Sequence, residues 1–173
     1  MRIYPDKKRN VYYFVPEEGQ GVVIPEALKG VPGRQFDSQW IYDESKKYEE
    51  GSPKYSKPYL NLTGLDFSGQ TLAHIEFHQG CDLSDCNFSG ATLRNVEFSL
   101  CKMERCCFDG AVLENVRFAP EGGSKGCSFK GVDLSNGVSF TWFNFDGVDL
   151  STCKLNKNWL ECCSFRGANI SNL

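Results

Sequence analysis

The sequence predicts a narrow repeat solenoid, on three grounds. From Leu62 to Ile170 a large apolar residue recurs at nearly every fifth position. Two residues before most of these positions lies a second series of small or apolar residues, and the remaining positions are mostly polar or Gly. A helix repeats its faces every 3.6 residues and a strand every 2, so a five-residue unit must turn a corner. Two inward positions in five therefore predict a coil with a bulky column and a small column inside it.

The large apolar positions form the predicted core of this coil. The step lengthens to six residues after Phe77 and again after Leu134, and an 11-residue step separates Phe118 from Phe129. The predicted core residues are Leu62, Phe67, Leu72, Phe77, Leu83, Phe88, Leu93, Phe98, Met103, Phe108, Leu113, Phe118, Phe129, Leu134, Phe140, Phe145, Leu150, Leu155, Leu160, Phe165 and Ile170.

Three blocks of this series, residues 88–93, 129–134 and 165–170, read FSGATL, FKGVDL and FRGANI. They resemble the consensus of the pentapeptide repeat family, and the resemblance extends over roughly residues 60–173. It implies an all-β fold, a right-handed quadrilateral parallel β-helix with four pentapeptides in each coil. At about 4.8 Å per stacked strand, the units would make about 5.5 coils and a rod roughly 26 Å long.

A longer period supports one coil for about every 20 residues. The motif Phe-x-Gly begins at Phe67, Phe88, Phe108 and Phe129. Its glycines are expected to stack at one corner, where Gly permits a positive φ. The spacing then shortens to 16 residues at Phe145, which predicts that the motif moves to a neighbouring face. The stacked corner residues are expected to be Gly69, Gly90, Gly110 and Gly131, with Asn95, Asn115 and Asn136 as an Asn ladder at the next corner.

The stretch 119–126, which contains Pro120, Gly122 and Gly123, interrupts the repeats. It is either a degenerate face of a coil or a loop that bulges from it. The 11-residue step from Phe118 to Phe129 repeats the step from Phe77 to Phe88, which favours the degenerate face.

Residues 1–59 are predicted to form a small N-terminal cap or arm, since a solenoid needs covers at its ends. The apolar runs 11–15 and 22–24 indicate a hairpin, and the charged stretch 45–58 indicates a linker or an arm lying on the solenoid. Trp40 and Tyr42 are expected to fold onto the repeats. No cover is evident after Ile170, so either the chain forms a homodimer through this end or it is a fragment. We prefer the homodimer.

The cysteines and the N-terminal residues indicate a reducing compartment. No apolar stretch follows Met1 closely, so a signal peptide is not expected, and no run is long enough to cross a membrane. Buried Cys behaves as a small hydrophobe, and we therefore predict a cytoplasmic protein. Seven of the nine cysteines fall in the small inward column: Cys81, Cys86, Cys101, Cys106, Cys127, Cys153 and Cys163.

Catalytic and metal-binding patterns are weak. In the pairs Cys106-Cys107 and Cys162-Cys163 one thiol should point inward and the other outward, so neither pair converges on one metal ion. The two histidines, His74 and His78, flank Glu76 on outward positions without an evident orienting partner. The outward thiols Cys107 and Cys162 are the predicted reactive cysteines, although no neighbouring residue in the sequence is expected to lower their pKa. We predict no enzyme activity, no metal and no cofactor.

Charge provides one functional hypothesis. Some pentapeptide repeat proteins are similar to duplex DNA in shape and charge and engage DNA gyrase. Residues 60–173 carry 13 acidic and 9 basic residues, a net charge of −4. Duplex DNA carries about one charge per 1.7 Å, so a DNA mimic would need a far more acidic rod. A DNA-mimicking modulator of gyrase or topoisomerase is therefore the alternative, and the repeat domain of a secreted bacterial effector is a second one.

Aromatic residues outside the core provide the leading hypothesis, a non-catalytic protein-interaction scaffold. Trp142 and Trp159 occupy outward positions, and Phe143 falls in the small inward column, where its ring must bulge the coil or swing out. Exposed aromatic side chains often mark contact sites. The candidate interaction residues are Trp142, Trp159 and Phe143. The partner is an unknown protein, and direct nucleic-acid binding is not expected.

Overall fold

The structure is a computed structural model, and it describes residues 2–6, 11–15, 33–35, 60–77, 81–120, 123–155 and 160–171. These residues form strands and turns and no helix, so the predicted all-β class is confirmed for this part of the chain. The strands are β1 Arg2–Asp6, β2 Val11–Val15, β3 Gly33–Gln35, β4 Leu60–Asn61, β5 Thr71–Phe77, β6 Cys81–Asp82, β7 Thr92–Ser99, β8 Val112–Glu114, β9 Arg117–Ala119, β10 Ser139–Thr141 and β11 Leu160–Glu161.

The repeat strands stack in parallel into a β-solenoid. In the main sheet β5, β7, β9, β10 and β11 follow one another, and each pairs in parallel with the next. Phe77 thus lies beside Phe98, and Phe140 beside Leu160. Five stacked strands correspond to about four full turns. The predicted figure of about 5.5 coils is slightly high, because it included the partial coils before Phe77 and after Leu160.

Each coil has four corners, which divide it into four faces. In the second coil Asp85, Gly90, Asn95 and Leu100 all have positive φ, at intervals of five residues. The left-handed conformation turns the chain between successive faces. We name the faces by their central residues in the second coil: face A contains Leu83, face B Phe88, face C Leu93 and face D Phe98. The predicted glycine corner between faces B and C is confirmed, with positive φ at Gly69, Gly90, Gly110 and Gly131.

The predicted Asn ladder is correct for two members and wrong for the third. Asn95 and Asn115 have positive φ, and Asn115 Nδ2 donates to Asn95 Oδ1 over 3.4 Å. The next left-handed residue is Gly137 (φ 69°), not Asn136. The six-residue step from Leu134 to Phe140 moves the corner by one residue. A Cβ at Gly137 would lie 2.3 Å from Asn115 Oδ1, so any other residue at this corner would require the Asn115 side chain to move.

The central side chains fill the coil. All the predicted core positions from Leu62 to Leu150 are buried, whereas Leu155, Leu160 and Phe165 are partly buried and Ile170 is 43% exposed. Phe rings stack almost parallel along a face, as in Phe88 on Phe108 with centroids 4.9 Å apart. Rings of faces B and D meet edge to face across the interior. Both arrangements suit the ring quadrupole.

The fourth coil has Ser124 where face A needs a large side chain. Met103 N–H donates to Gly123 O at 2.7 Å, and Asn144 N–H donates to Ser124 Oγ at 2.9 Å, so the backbone stays in register. The degenerate face is therefore the correct alternative for residues 123–126. Phe145 is the next large residue on face A, which confirms that the Phe-x-Gly motif moves by one face.

Phe143 occupies the volume that Ser124 leaves. Its ring lies 5.9 Å from Phe118, 5.8 Å from Phe129 and 5.1 Å from Phe140, centroid to centroid. These three rings belong to the preceding two coils, so Phe143 points down into the interior beside Ser124. Its predicted role as a contact residue is wrong, because the side chain is buried. Phe143, at a position that holds a small residue in the other coils, thus compensates for Ser124, at a position that holds a large one.

The N-terminal strands extend the main sheet beyond the first coil. β1 pairs in parallel with β5, with Ile3 beside Phe77, and antiparallel with β2. β3 pairs with the other edge of β2. The predicted hairpin partner, residues 22–24, lies outside the described residues, and both edges of β2 are occupied by β1 and β3. The boundary between residues 59 and 60 stays a prediction.

Candidate interaction surface

Trp142 projects from the corner between faces D and A. It follows β10, has φ 55° and is 59% exposed. A bulky residue in the left-handed region is unusual. Trp142 N–H donates to Glu161 O at 2.9 Å, and the following residue, Phe143, is anchored in the core. The backbone that carries the indole is thus fixed on both sides.

The same corner is apolar in neighbouring coils. The strand register places Leu100, Pro120, Trp142 and Cys162 one above another. Leu100 and Cys162 also have positive φ, and Cys162 is exposed. Trp142 is recognisable in the sequence, but the column is not, because its members lie 20 to 22 residues apart. Only the coil register brings them together.

The other predicted contact residues do not join Trp142 in the described structure. Phe143 is buried, and Trp159 lies outside the described residues. Two more large apolar residues are exposed, Val112 on face C and Ile170 in the last coil. Each belongs to a different face from Trp142, so these positions do not form one patch.

Ion pairs between coils neutralise much of the surface charge. Arg105 binds both carboxylate oxygens of Asp85, at 2.7 and 2.8 Å, and also contacts Glu104. Six acidic side chains of the described coils pair with a basic one, five of them in a neighbouring coil and Glu104 with the adjacent Arg105. The pairs are Arg94–Glu114, Lys102–Asp82, Arg105–Asp85, Arg105–Glu104, Arg117–Glu97 and Lys154–Asp133.

Several aspartates also form turns with their own backbone. Asp66, Asp133 and Asp149 each accept the N–H of the Ser two residues later, at 2.9 to 3.0 Å. Hydrogen bonds from these serines lower the pKa of all three carboxyl groups. The signal in the sequence is the recurring Asp-x-Ser or Asn-x-Ser around the central residue, which the sequence analysis did not use. These acids therefore shape the corners.

The cysteines are free thiols with structural contacts. Cys86 Sγ lies 3.1 Å from Leu62 O in the preceding coil, and Cys127 Sγ lies 3.0 Å from Met103 O. Burial raises the pKa of Cys86 to about 12 and raises that of Cys101 well above its usual value. These inward thiols are therefore protonated donors rather than nucleophiles.

The described residues that were considered for metal or acid–base chemistry do not converge on one site. Cys106 points inward and Cys107 is half-buried on the outside, and Cys162 is more exposed than Cys163. His74 is exposed at the corner between faces C and D, and His78 lies outside the described residues. Among the residues that the structure describes, no three His, Cys, Asp or Glu side chains form a group that could hold a metal ion. No helix in the described ranges could span a membrane.

Comparison with known proteins agrees with this architecture. Residues 80–118 match the model of the family described as pentapeptide repeats, in eight copies. No curated protein sequence matches the chain.

Among solved structures, trypsin-treated QnrB1, a plasmid-mediated fluoroquinolone resistance protein, is 28% identical over 63% of this chain and 57% of its own, with a TM-score of 0.36. HetL, involved in heterocyst differentiation regulation in Nostoc sp. strain PCC 7120, is 19% identical over 65% and 52%, with a TM-score of 0.30. A thylakoid-lumen protein of Arabidopsis thaliana is 27% identical over 71% of each chain, with a TM-score of 0.25. The chain thus spans little more than half the length of the first two. Residues 80–118 thus match the pentapeptide repeat family, and the five-residue period and the left-handed corners of the coils continue on both sides of the matched residues.

Proposed function

We propose that this chain is a non-catalytic scaffold that presents the Trp142 corner to a protein partner. The observation that carries the proposal is the exposed indole on a fixed, left-handed backbone. Trp is enriched among the residues that dominate binding energy, and a preorganised side chain loses little conformational entropy on binding. Thr141 and Glu161 supply polar neighbours in the paired strands β10 and β11. An aromatic anchor with a polar rim fits a protein surface.

The filled interior supports a role without catalysis. Stacked side chains occupy the centre of the described coils from Leu62 to Leu150. A substrate needs a concave pocket with converging polar groups, whereas this rod offers flat faces and corners. The free thiols support the expected reducing, cytoplasmic compartment.

The test is a site-specific photo-crosslinker at position 142, with the same crosslinker at Val112 as the control for an exposed apolar residue. We expect one protein to be captured from position 142 and not from position 112. For that protein, Trp142→Ala should weaken binding at least tenfold and Val112→Ala should leave it unchanged. Equal capture from both positions, or undiminished affinity of W142A, would refute the proposal.

The partly exposed core residues of the last described coils support a second proposed contact, a homodimer through the C-terminal end of the solenoid. Leu155, Leu160 and Phe165 are only partly buried, and Ile170 is exposed. Pairing two such ends would bury these side chains and the strand edges beside them. Light scattering should then give a dimer for the wild type and a monomer for Ile170→Glu. A wild-type monomer at high concentration would contradict this contact.

The ion pairs weigh against the alternative, DNA mimicry. Asp85, Glu97 and Asp133 face basic partners at 2.7 to 3.3 Å, so their charge does not add to a continuous negative surface. A gyrase supercoiling assay separates the two functions. The scaffold proposal expects no inhibition by a large excess of the protein, and inhibition at micromolar concentration would favour the mimic.

A further inference from the structure

Glu161 carries a carboxylate that no described residue of the coils engages. It ends β11 and is exposed, and its side chain accepts no hydrogen bond and forms no ion pair within the described part of the chain. Other acids of the coils are in use: Glu114 Oε2 lies 2.8 Å from Arg94 Nε, and Asp146 accepts the Arg166 N–H at 2.8 Å. A carboxylate that the coils do not need for folding is available to a ligand.

This carboxylate belongs to a direct neighbour of Trp142. The Trp142 N–H donates to Glu161 O at 2.9 Å, and Glu161 pairs with Thr141 in the parallel register of β10 and β11. Trp142 is 59% exposed, and Glu161 is exposed as well. Two long side chains that project from strands about 4.8 Å apart are able to contact one ligand group together.

The charge around Trp142 is negative. In the two stretches that form this part of face D and its corner, residues 138–143 and 159–163, Glu161 is the only charged residue. Arg117, one coil below Ser139, is engaged with Glu97, with 3.3 Å between Nη1 and Oε1. A phosphate or an acidic peptide would therefore meet repulsion here, whereas a cation would find a carboxylate without a counter-charge.

We propose that the Trp142 corner binds an Arg or Lys side chain of its protein partner, with the cation over the indole ring and paired with the Glu161 carboxylate. This inference rests on the proposed function, the scaffold that presents Trp142. A cation is attracted to the face of an aromatic ring, most strongly to that of Trp. Arg suits the pair best, because its planar guanidinium stacks on a ring while it donates N–H groups to a carboxylate.

Peptide titration tests this recognition without the natural partner. The probes are a fluorescein-labelled Gly-Ser peptide that contains Arg and the same peptide with citrulline, which keeps the shape of Arg without its charge. From fluorescence anisotropy we expect the full chain to bind the Arg peptide at least about fivefold more tightly. Glu161→Gln and Trp142→Ala should each remove most of this preference. Glu114→Gln, the same change of net charge on face C, should keep it.

Equal binding of the two peptides to the wild type, or the same preference in E161Q and E114Q, would overturn the inference. The protein captured at position 142 separates this inference from the scaffold proposal. E161Q should weaken its binding at least about threefold, and rising salt should weaken binding of the wild type. Undiminished affinity of E161Q for that protein would refute the basic side chain and leave the scaffold standing. Absence of specific capture would count against the scaffold itself, and the peptide titration would then decide the recognition chemistry of the corner alone.

Discussion

The first three coils and the junction of the fourth and fifth coils fill the same interior in different ways. In the first three coils one large side chain per face stacks on its equivalent, as Phe67, Phe88 and Phe108 do with centroids 4.7 and 4.9 Å apart. At the junction Ser124 breaks the face A column, and Phe143 enters from the small column. The interior of the rod is therefore filled in both regions, although the side chains that fill it come from different columns. Close-packed interiors require this, since a void loses contacts on every side.

The largest expected effect is that of Phe143→Ala. Truncating a buried Phe costs about 3–5 kcal/mol, and the cost grows with the cavity that remains. At position 143 the new cavity would merge with the space beside Ser124, so we expect a value at the upper end. Phe108→Ala, in the regular region, is the matched control, and urea unfolding measures both. An F143A cost below about 1 kcal/mol would show that Phe143 does not fill the coil.

Restoring the regular pattern at Ser124 gives the sharper test of compensation. Ser124→Leu alone should overpack the coil and cost about 1–3 kcal/mol, because Phe143 already occupies the space. In the double variant S124L/F143A the new Leu fills the cavity, so the two costs should not add. We expect a favourable coupling of at least about 1 kcal/mol. The costs of S124L and F77A, which lies two coils away from the junction, should be additive. Additive costs in both pairs would show that Phe143 does not compensate for Ser124.

The corner at Gly137, which stacks on Asn115, allows the backbone of the irregular region to be compared with that of the regular one. Gly90→Ala, in the regular region, places a Cβ in open space at φ 62°, so only the left-handed conformation is penalised, by about 1 kcal/mol. Gly137→Ala adds a contact with Asn115 Oδ1 and should cost about 1 kcal/mol more. The midpoints of thermal unfolding measure the difference. In an Asn115→Ala background, compared with N115A alone, the added cost of G137A should fall to that of G90A in the wild type, and a persistent gap would place the strain elsewhere.

The regular features were predictable from the sequence because each repeats many times. The positions of Phe88, Phe108 and Gly90 belong to series that a single period describes. Ser124 and Phe143 lie 19 residues apart and occur once, so their compensation appears only when the coils are stacked. For the same reason the sequence predicted Trp142 as a contact residue but wrongly predicted the same role for Phe143.

Only Trp142, the most exposed residue of the candidate site, was predictable from the sequence. Trp142 is large, outward and easy to recognise, whereas its neighbours Leu100 and Cys162 are ordinary residues in distant parts of the chain. The pairing of β1 with β5 also left no trace in the period, because contacts between the repeats and the rest of the chain lie outside what a repeat pattern can specify.

The smallest expected effect concerns the Asp turns, which occur in both regions. Asp66 lies in the first coil and Asp133 in the fourth, and both have a lowered pKa because they accept hydrogen bonds from Ser68 and Ser135. A carboxyl group whose pKa is lower in the folded state contributes stability above its unfolded pKa, near 3.8. That contribution disappears as the pH falls from this value through the lowered one. Stability should therefore decrease on acidification below about pH 4.

Asp133→Asn separates the charge from the turn. Asn keeps an Oδ1 acceptor for the Ser135 N–H, as Asn87 does for Ser89 at 3.0 Å, but it does not titrate. We expect D133N to unfold with a shallower pH dependence below pH 4 and to be less stable than the wild type at neutral pH, because the contribution of the ionised carboxylate and its exposed Lys154 ion pair is lost. Urea midpoints at a series of pH values measure this dependence. If D133N and the wild type lose stability in parallel, the acid sensitivity arises from other carboxylates.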